Sequence, residues 1–163
     1  MSVIAAKVYD KRITMAADAI LVKGSSKRNN NFAKIARIND MIVGGTGLAE
    51  EISLMWHYMA THKPAAATEK DILAFIVEFS QWKGNVGARG SIENSYLLVY
   101  DGHLYEIENM FVHEIKDYIA IGAGQDFANA ALYLGHTPGE AVKVACDLSC
   151  YVCEPITVFE TER

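Results

Sequence analysis

The sequence predicts an α+β fold in which two antiparallel sheets are each covered by a pair of helices. Three observations carry that expectation. Strand-like and helix-like segments do not alternate: four strands come first, then two helices, two or three strands, two more helices and a last strand. A parallel sheet would need a crossover between successive strands. Turns of the Asn-Asp and Asp-Gly kind separate strand pairs, as in hairpins. Hydrophobic residues make up 51% of the 163 positions, enough for one compact domain with its own core.

Residues 2–9 and about 12–17 read as the first hairpin, turning at Tyr9-Asp10-Lys11, because Val and Ile recur on both sides of turn-type residues. The second strand ends in Ala16-Ala17-Asp18-Ala19, whose small side chains leave room for close packing around Asp18. Residues 23–31 are polar and basic and are expected to form a solvated loop, since they lack the glycine spacing of a phosphate cradle. A second hairpin runs through 34–38, turns at Asn39-Asp40 and continues through 41–43 into Gly44-Gly45-Thr46-Gly47, where glycine permits close backbone approach.

From Leu48 the period changes, and Leu48, Ile52, Met55, Trp56 and Met59 share a helical face until Lys63-Pro64. Thr68, with Asp71 three residues on, caps a second helix whose buried stripe is Ile72, Phe75, Ile76 and Phe79. Gly84, Gly87 and Gly90 then mark a flexible connector, because a phosphate loop would follow a strand rather than a helix. Residues 95–100 and 103–108, around Asp101-Gly102, form the clearest hairpin. A short strand at 118–121 runs into Gly122-Ala123-Gly124.

An alanine-rich helix over 125–134 follows, and Thr137-Pro138-Gly139-Glu140 opens another with a cap, a first-turn proline and a glutamate at the third position. That helix is expected to carry Cys146, Cys150 and Cys153 on one face as small buried side chains. A thiolate metal site would need a fourth ligand that the neighbourhood does not offer. Residues 155–160 form the closing strand.

The net charge of −5 leaves no electrostatic footprint for nucleic acid. No apolar run approaches the about 18–20 residues that span a bilayer, and no basic region with an apolar signal core opens the chain. No membrane contact and a cytoplasmic location are therefore expected. Three cysteines in one short stretch fit a reducing compartment rather than a disulfide framework. The five histidines lack ligand spacing such as H-E-x-x-H, and neither a metal nor another cofactor is expected.

Chemistry gathers at the start of the chain. With Met1 removed, Ser2 would carry a nucleophilic hydroxyl and an α-amine on one residue. That amine's unperturbed pKa of about 7.7–8.0 leaves a neutral fraction near pH 7 that can act as base.

Ser2, Ile13-Thr14-Met15-Ala16-Ala17-Asp18, Phe32-Ala33-Lys34-Ile35, Gly44-Gly45-Thr46-Gly47, Ala120-Ile121-Gly122-Ala123-Gly124 and Ala145-Cys146-Asp147 together resemble the proteasome β-subunit family. The resemblance covers nearly the whole chain and is strongest to the family's bacterial branch of HslV type. Asp18 lies sixteen residues after Ser2 and Lys34 sixteen after Asp18, matching the family's nucleophile, acid and lysine.

This resemblance implies a four-layer αββα sandwich of the N-terminal-nucleophile (Ntn) hydrolase type. It also implies a self-compartmentalising peptidase that cleaves unfolded proteins or peptides inside stacked homo-oligomeric rings. An ATP-dependent unfoldase would be a separate partner, since this chain has no ATP-binding motif. By the same resemblance Ser2 replaces threonine as nucleophile, Lys34 holds positive charge beside its oxygen and Asp18 keeps Lys34 charged and oriented. The Gly47 amide would stabilise the tetrahedral oxyanion, and Asp147 would orient Ser2. Leu21, Phe32, Gly45 and Ala49 would line an apolar pocket for the substrate side chain before the cut. Ala123 stands where the family usually has a serine. The rival expectation is a proteolytically inactive ring subunit or scaffold that kept the fold.

Overall fold

The structure is a computed structural model in which residues 1–29 and 31–163 are described. Its elements run β1 (Ile4–Val8), β2 (Arg12–Ala17), β3 (Leu21–Lys23), β4 (Ser26–Asn29), β5 (Ile35–Ile38), β6 (Met41–Thr46), α1 (Ala49–Met59) and α2 (Glu69–Asn85). They continue with β7 (Ser95–Tyr100), β8 (His103–Glu108), β9 (Phe111–Ile115), β10 (Tyr118–Ile121), α3 (Gln125–Tyr133), α4 (Pro138–Leu148) and β11 (Thr157–Glu162). One sheet has the order β10-β1-β2-β11 and a second β5-β6-β7-β8-β9, with neighbours antiparallel throughout.

Period-two alternation sorts the strand residues into three cores, which stack the four layers. Ile4, Ala6, Ile13, Met15 and Ala17 of the first sheet meet Ile35, Ile42, Leu97, Val99 and Leu104 of the second in the central core. The opposite faces turn to helices. Met41, Val43, Tyr96, Leu98 and Tyr105 pack under α1 and α2, while Val3, Ala5, Ala16 and Ala120 pack under α3 and α4. The alanines on this last face, opposed by Ala128, Ala131, Ala141 and Ala145, let the helix pair lie close to the strands that end at Ser2 and Asp18.

Both expected N-caps are present: Thr68 accepts from the Asp71 amide, and Thr137 and Glu140 form a reciprocal capping box. Four sequence readings need correction. The 23–31 stretch is not simply a loop: β3 and β4 pair there around Gly24 at φ +60°, while Asn30 lies outside the described residues. A strand, β9, follows Asn109, whose positive φ lets β8 turn back on itself. Gly84 belongs to α2 rather than to a connector. Helix α4 stops at Leu148 because Ser149 already has extended dihedrals, so Cys150 and Cys153 lie beyond it and share no helical face with Cys146. No helix among the described residues is long and apolar enough to cross a membrane.

Candidate active site

Sheet register brings the resembling segments to one end of the sandwich. In the first sheet Ile4 faces Ala17, so Val3 and Asp18 close the open end of that hairpin, with the Asp18 amide donating to the Val3 carbonyl at 3.3 Å. In the second sheet Ile35 faces Gly44, and one step further the Gly45 amide donates to the Lys34 carbonyl at 3.0 Å. Because the sheets stack face to face, the Lys34 side chain crosses the layer boundary. Its Nζ donates to both carboxylate oxygens of Asp18 at 2.8 Å.

Asp18 is 1% exposed and Lys34 2%. The carboxylate also accepts from the Val3 amide at 2.8 Å and the Ile20 amide at 3.2 Å, so its desolvation is offset by several donors. Burial pushes the Lys34 ammonium below the usual lysine range, and the Asp18 charge pulls it back up. The pair therefore sets the Lys34 amine one short step from the start of β1, with the Asp18 carboxylate favouring its charged form against burial.

Met1 completes the contact. Ser2 Oγ donates to the Met1 carbonyl at 2.6 Å, and Lys34 Nζ donates to the same oxygen at 3.2 Å. While Met1 is attached, the Ser2 nitrogen is an amide with no usable lone pair, and its hydroxyl is held by the preceding peptide rather than by a base.

The Gly122-Ala123-Gly124 segment wraps the other side of Ser2. The Gly124 amide donates to the Ser2 carbonyl at 3.2 Å. Gly122 has φ +96°, and a Cβ there would stand 2.4 Å from the Ser2 carbonyl oxygen. Only glycine combines that conformation with that approach. A cavity of about 310 Å³ opens beside Ser2, bounded by Thr46, Gly47, Glu93, Ser95 and Ala123 among others. Glu93 and Ser95 were not legible as site residues, although Ser95 pairs with Thr46 in the sheet register.

Ser2, Asp18, Lys34 and Gly47 thus gather at one end, and Asp147 does not join them. It is exposed on α4, where its carboxylate pairs with Lys143 one turn earlier. Leu21 is half-buried at the start of β3, Ala49 is half-buried at the start of α1, and Phe32 packs against the core beneath α1 and α2. Gly45 is buried in β6, where a Cβ would stand 2.9 Å from Ile52 and Tyr96. None of these four bounds the cavity beside Ser2. A second cavity of about 490 Å³ also borders Met1, lined by Ile20, Val22, Lys27, Tyr151 and Cys153 among others. The Cys146 thiol is pushed up to about 12 by burial and then by Asp18, which keeps it protonated.

No known family matches the chain by sequence. No curated protein matches it either. Solved structures do match. A structure of Thiobacillus denitrificans BPH in complex with epoxomicin superposes with a TM-score of 0.89 at 20% identity, covering 98% of each chain. Another structure of Thiobacillus denitrificans BPH gives a TM-score of 0.88 at 19% identity, covering 98% of this chain and 97% of that one. Eukaryotic HslV from Trypanosoma brucei gives 0.74 at 22% identity, covering 99% of both. The α+β architecture, with its two large antiparallel sheets and, among the described residues, four helices, is the fold of these BPH and HslV structures.

Proposed function

We propose that residues 1–163 form one Ntn-hydrolase domain that acts, once Met1 is removed, as an endopeptidase with Ser2 in place of the family's threonine. The observation that carries this reading is the sealed Asp18–Lys34 pair, whose ammonium lies 3.2 Å from the carbonyl that Ser2 Oγ also touches. In the processed chain the Ser2 α-amine takes the hydroxyl proton as Oγ attacks the substrate carbonyl. Lys34 stabilises the developing negative charge on Oγ, and the Gly47 amide donates to the carbonyl oxygen as it becomes an oxyanion. The protonated amine then gives its proton to the leaving amine, which leaves an ester on Ser2. Water attacks that ester with the amine again acting as base. Asp18 holds Lys34 in place and in its charged form. Asp147, committed to Lys143, receives no role in this scheme.

The substrates are unfolded proteins or peptides, with Leu21, Phe32, Gly45 and Ala49 forming an apolar pocket for the residue before the cut. The particle is a stack of homo-oligomeric rings in the cytoplasm, and any ATP-dependent unfoldase that feeds it would be a separate partner, since this chain has no ATP-binding motif. Exposed apolar side chains on the outer helix layer, Tyr133, Leu134 and Leu148 at 64–78% exposure, are surfaces that such packing would cover. Light scattering is expected to give a mass many times that of one chain, and a monomer would remove the ring.

A second reading, an inactive ring subunit, is favoured by Ala123, which leaves no hydroxyl between the two glycines. Intact mass, hydrolysis of a fluorogenic peptide and labelling by epoxomicin, measured on one preparation, separate the two. Chains beginning at Ser2 are expected to hydrolyse and to label at Ser2, and Ser2→Ala to do neither. Processed particles that do neither as wild type would establish the inactive subunit.

A further inference from the structure

Gly47 has no side chain to fix it and sits at φ +126°, where the backbone of any other residue is strained. An oxyanion donor must nonetheless be aimed before the reaction begins, because reorganising it during the reaction forfeits most of its effect. The residue before Gly47 is held by the sheet, since Thr46 pairs with Ser95. The residue after it, Leu48, stands at the N-cap of α1 with no side-chain cap of its own.

That gap is filled from a distant segment. Asn94, 2% exposed, accepts from the Leu48 amide through Oδ1 at 2.6 Å and donates to the Leu48 carbonyl through Nδ2 at 2.9 Å. The same Oδ1 occupies the side-chain direction of Gly47, where a Cβ would stand 2.2 Å from it. Asn94 is itself fixed, because its amide donates to Glu51 Oε1 at 3.0 Å. That carboxylate also takes the Tyr96 hydroxyl at 3.0 Å, the Glu93 amide at 3.0 Å and the buried Lys83 ammonium. Lys83 in turn donates to the Ser91 carbonyl at 2.6 Å. A buried ion pair between α1 and α2 thus anchors residues 91–94, and Asn94 carries that anchorage to the Gly47–Leu48 peptide.

We infer that Asn94 is the positioning residue of the Gly47 oxyanion donor, held in register by the Glu51–Lys83 pair. The inference rests on the peptidase reading above and deepens it. The Asn94 amide completes hydrogen bonds on both polar groups of Leu48, which the helix end alone would leave freer. It does so without touching substrate, so its effect must appear in turnover rather than in substrate binding.

The test uses processed particles of wild type, Asn94→Ala and Asn94→Asp. Three readouts are compared: peptide hydrolysis, affinity for a peptide aldehyde and the labelling rate of a peptide vinyl sulfone. The aldehyde adduct puts an oxygen where the oxyanion forms. The vinyl sulfone bonds Ser2 Oγ to its β-carbon, with the proton passing to the α-carbon, and puts no oxygen there. Asn94→Ala is expected to lower kcat by about tenfold to a hundredfold, with KM within about twofold and aldehyde affinity falling in parallel. Vinyl sulfone labelling is expected to stay within about threefold of wild type. Asn94→Asp, which keeps the acceptor for the Leu48 amide, should recover part of the loss and serves if the alanine variant fails to fold.

Hydrogen exchange over residues 46–49 is expected to be faster in either variant. Equal losses of hydrolysis and of vinyl sulfone labelling, or unchanged exchange with unchanged kcat in an active particle, would overturn the positioning role alone. A wild-type particle that neither hydrolyses nor labels removes the peptidase reading, and this role with it.

Discussion

Lys34 Nζ stands 2.8 Å from each oxygen of the Asp18 carboxylate, and the two side chains are 2% and 0% exposed. An ion pair so enclosed adds little net stability, because each charge gave up its hydration to enter, but breaking it by removing one partner is costly. Asp18→Asn is therefore expected to lose about 3–5 kcal/mol of stability, as the buried Lys34 must either hold its charge without a counter-charge or give up its proton. It should also lose measurable hydrolysis. Denaturant unfolding alongside the peptide assay checks both, and wild-type stability in Asp18→Asn would show that the pair does not hold the site.

The pH dependence follows from the Lys34 environment. Burial lowers its pKa from the ordinary 10.5 in the folded chain, against the pull of Asp18. Between the folded value and 10.5 the unfolded chain keeps a proton that the folded chain has released, so on this group's account stability rises with pH across that window. Activity runs the other way, because the neutral amine no longer stabilises charge on Ser2 Oγ. The profile of kcat/KM is expected to show an alkaline limb below the ordinary lysine range, while the urea midpoint gains rather than loses over the same interval. In Lys34→Arg, whose guanidinium stays charged, any residual activity should lack that limb. An alkaline limb identical in wild type and Lys34→Arg would assign it to another group.

Which parts of this arrangement could be read from the chain depends on how local their causes are. The hairpins at Asn39-Asp40 and Asp101-Gly102 follow from turn residues that adopt positive φ, as Asn39, Asp40, Asp101 and Gly102 all do. The helix starts at Thr68 and Thr137 are equally local. By contrast, β3 and β4 are three and four residues long with no alternating apolar pattern, and β9 follows so closely on β8 that its own half-buried pattern merges with the preceding hairpin. The cysteines at helical spacing misled because spacing says nothing about where a helix stops. In the site, Ser2, Asp18 and Lys34 were visible through their intervals. Asn94 was not, because its partner Leu48 is forty-six residues away and only the sheet and the Glu51–Lys83 pair bring the two together.

Two glycines with nearly the same backbone angle separate conformational strain from site geometry. A Cβ on Gly122, at φ +96°, would stand 2.4 Å from the Ser2 carbonyl oxygen, whereas one on Gly135, at φ +97°, would meet nothing within 4 Å. Either glycine-to-alanine change is expected to cost roughly 1–3 kcal/mol for the backbone conformation. Only Gly122→Ala should also displace Ser2 and abolish hydrolysis, while Gly135→Ala keeps wild-type kcat on the particles that fold. Thermal midpoints and turnover measured together test the contrast, and equal turnover in the two variants would mean that the Gly122 contact does not set the position of Ser2.

The last prediction turns on a missing hydroxyl. Ala123 is exposed to the cavity beside Ser2 and Gly47, so a serine oxygen placed there meets open space rather than packed atoms. If the processed Ser2 amine is the base, Ala123→Ser should give it a hydrogen-bond partner that helps relay the proton between attack and departure. A gain in kcat of up to about tenfold is expected, below the roughly hundredfold that a fully positioned acid or base supplies. KM should not move, because residue 123 faces the nucleophile and not the proposed apolar pocket. The change adds one oxygen at an exposed position, so thermal stability should remain within about 0.5 kcal/mol of wild type. Turnover of wild type and Ala123→Ser, each confirmed by intact mass to begin at Ser2, gives the answer. A rise places the amine in the reaction. Undetectable turnover in both, with Ser2 free and the particle assembled, would mean that the chain kept the fold of a peptidase without its chemistry.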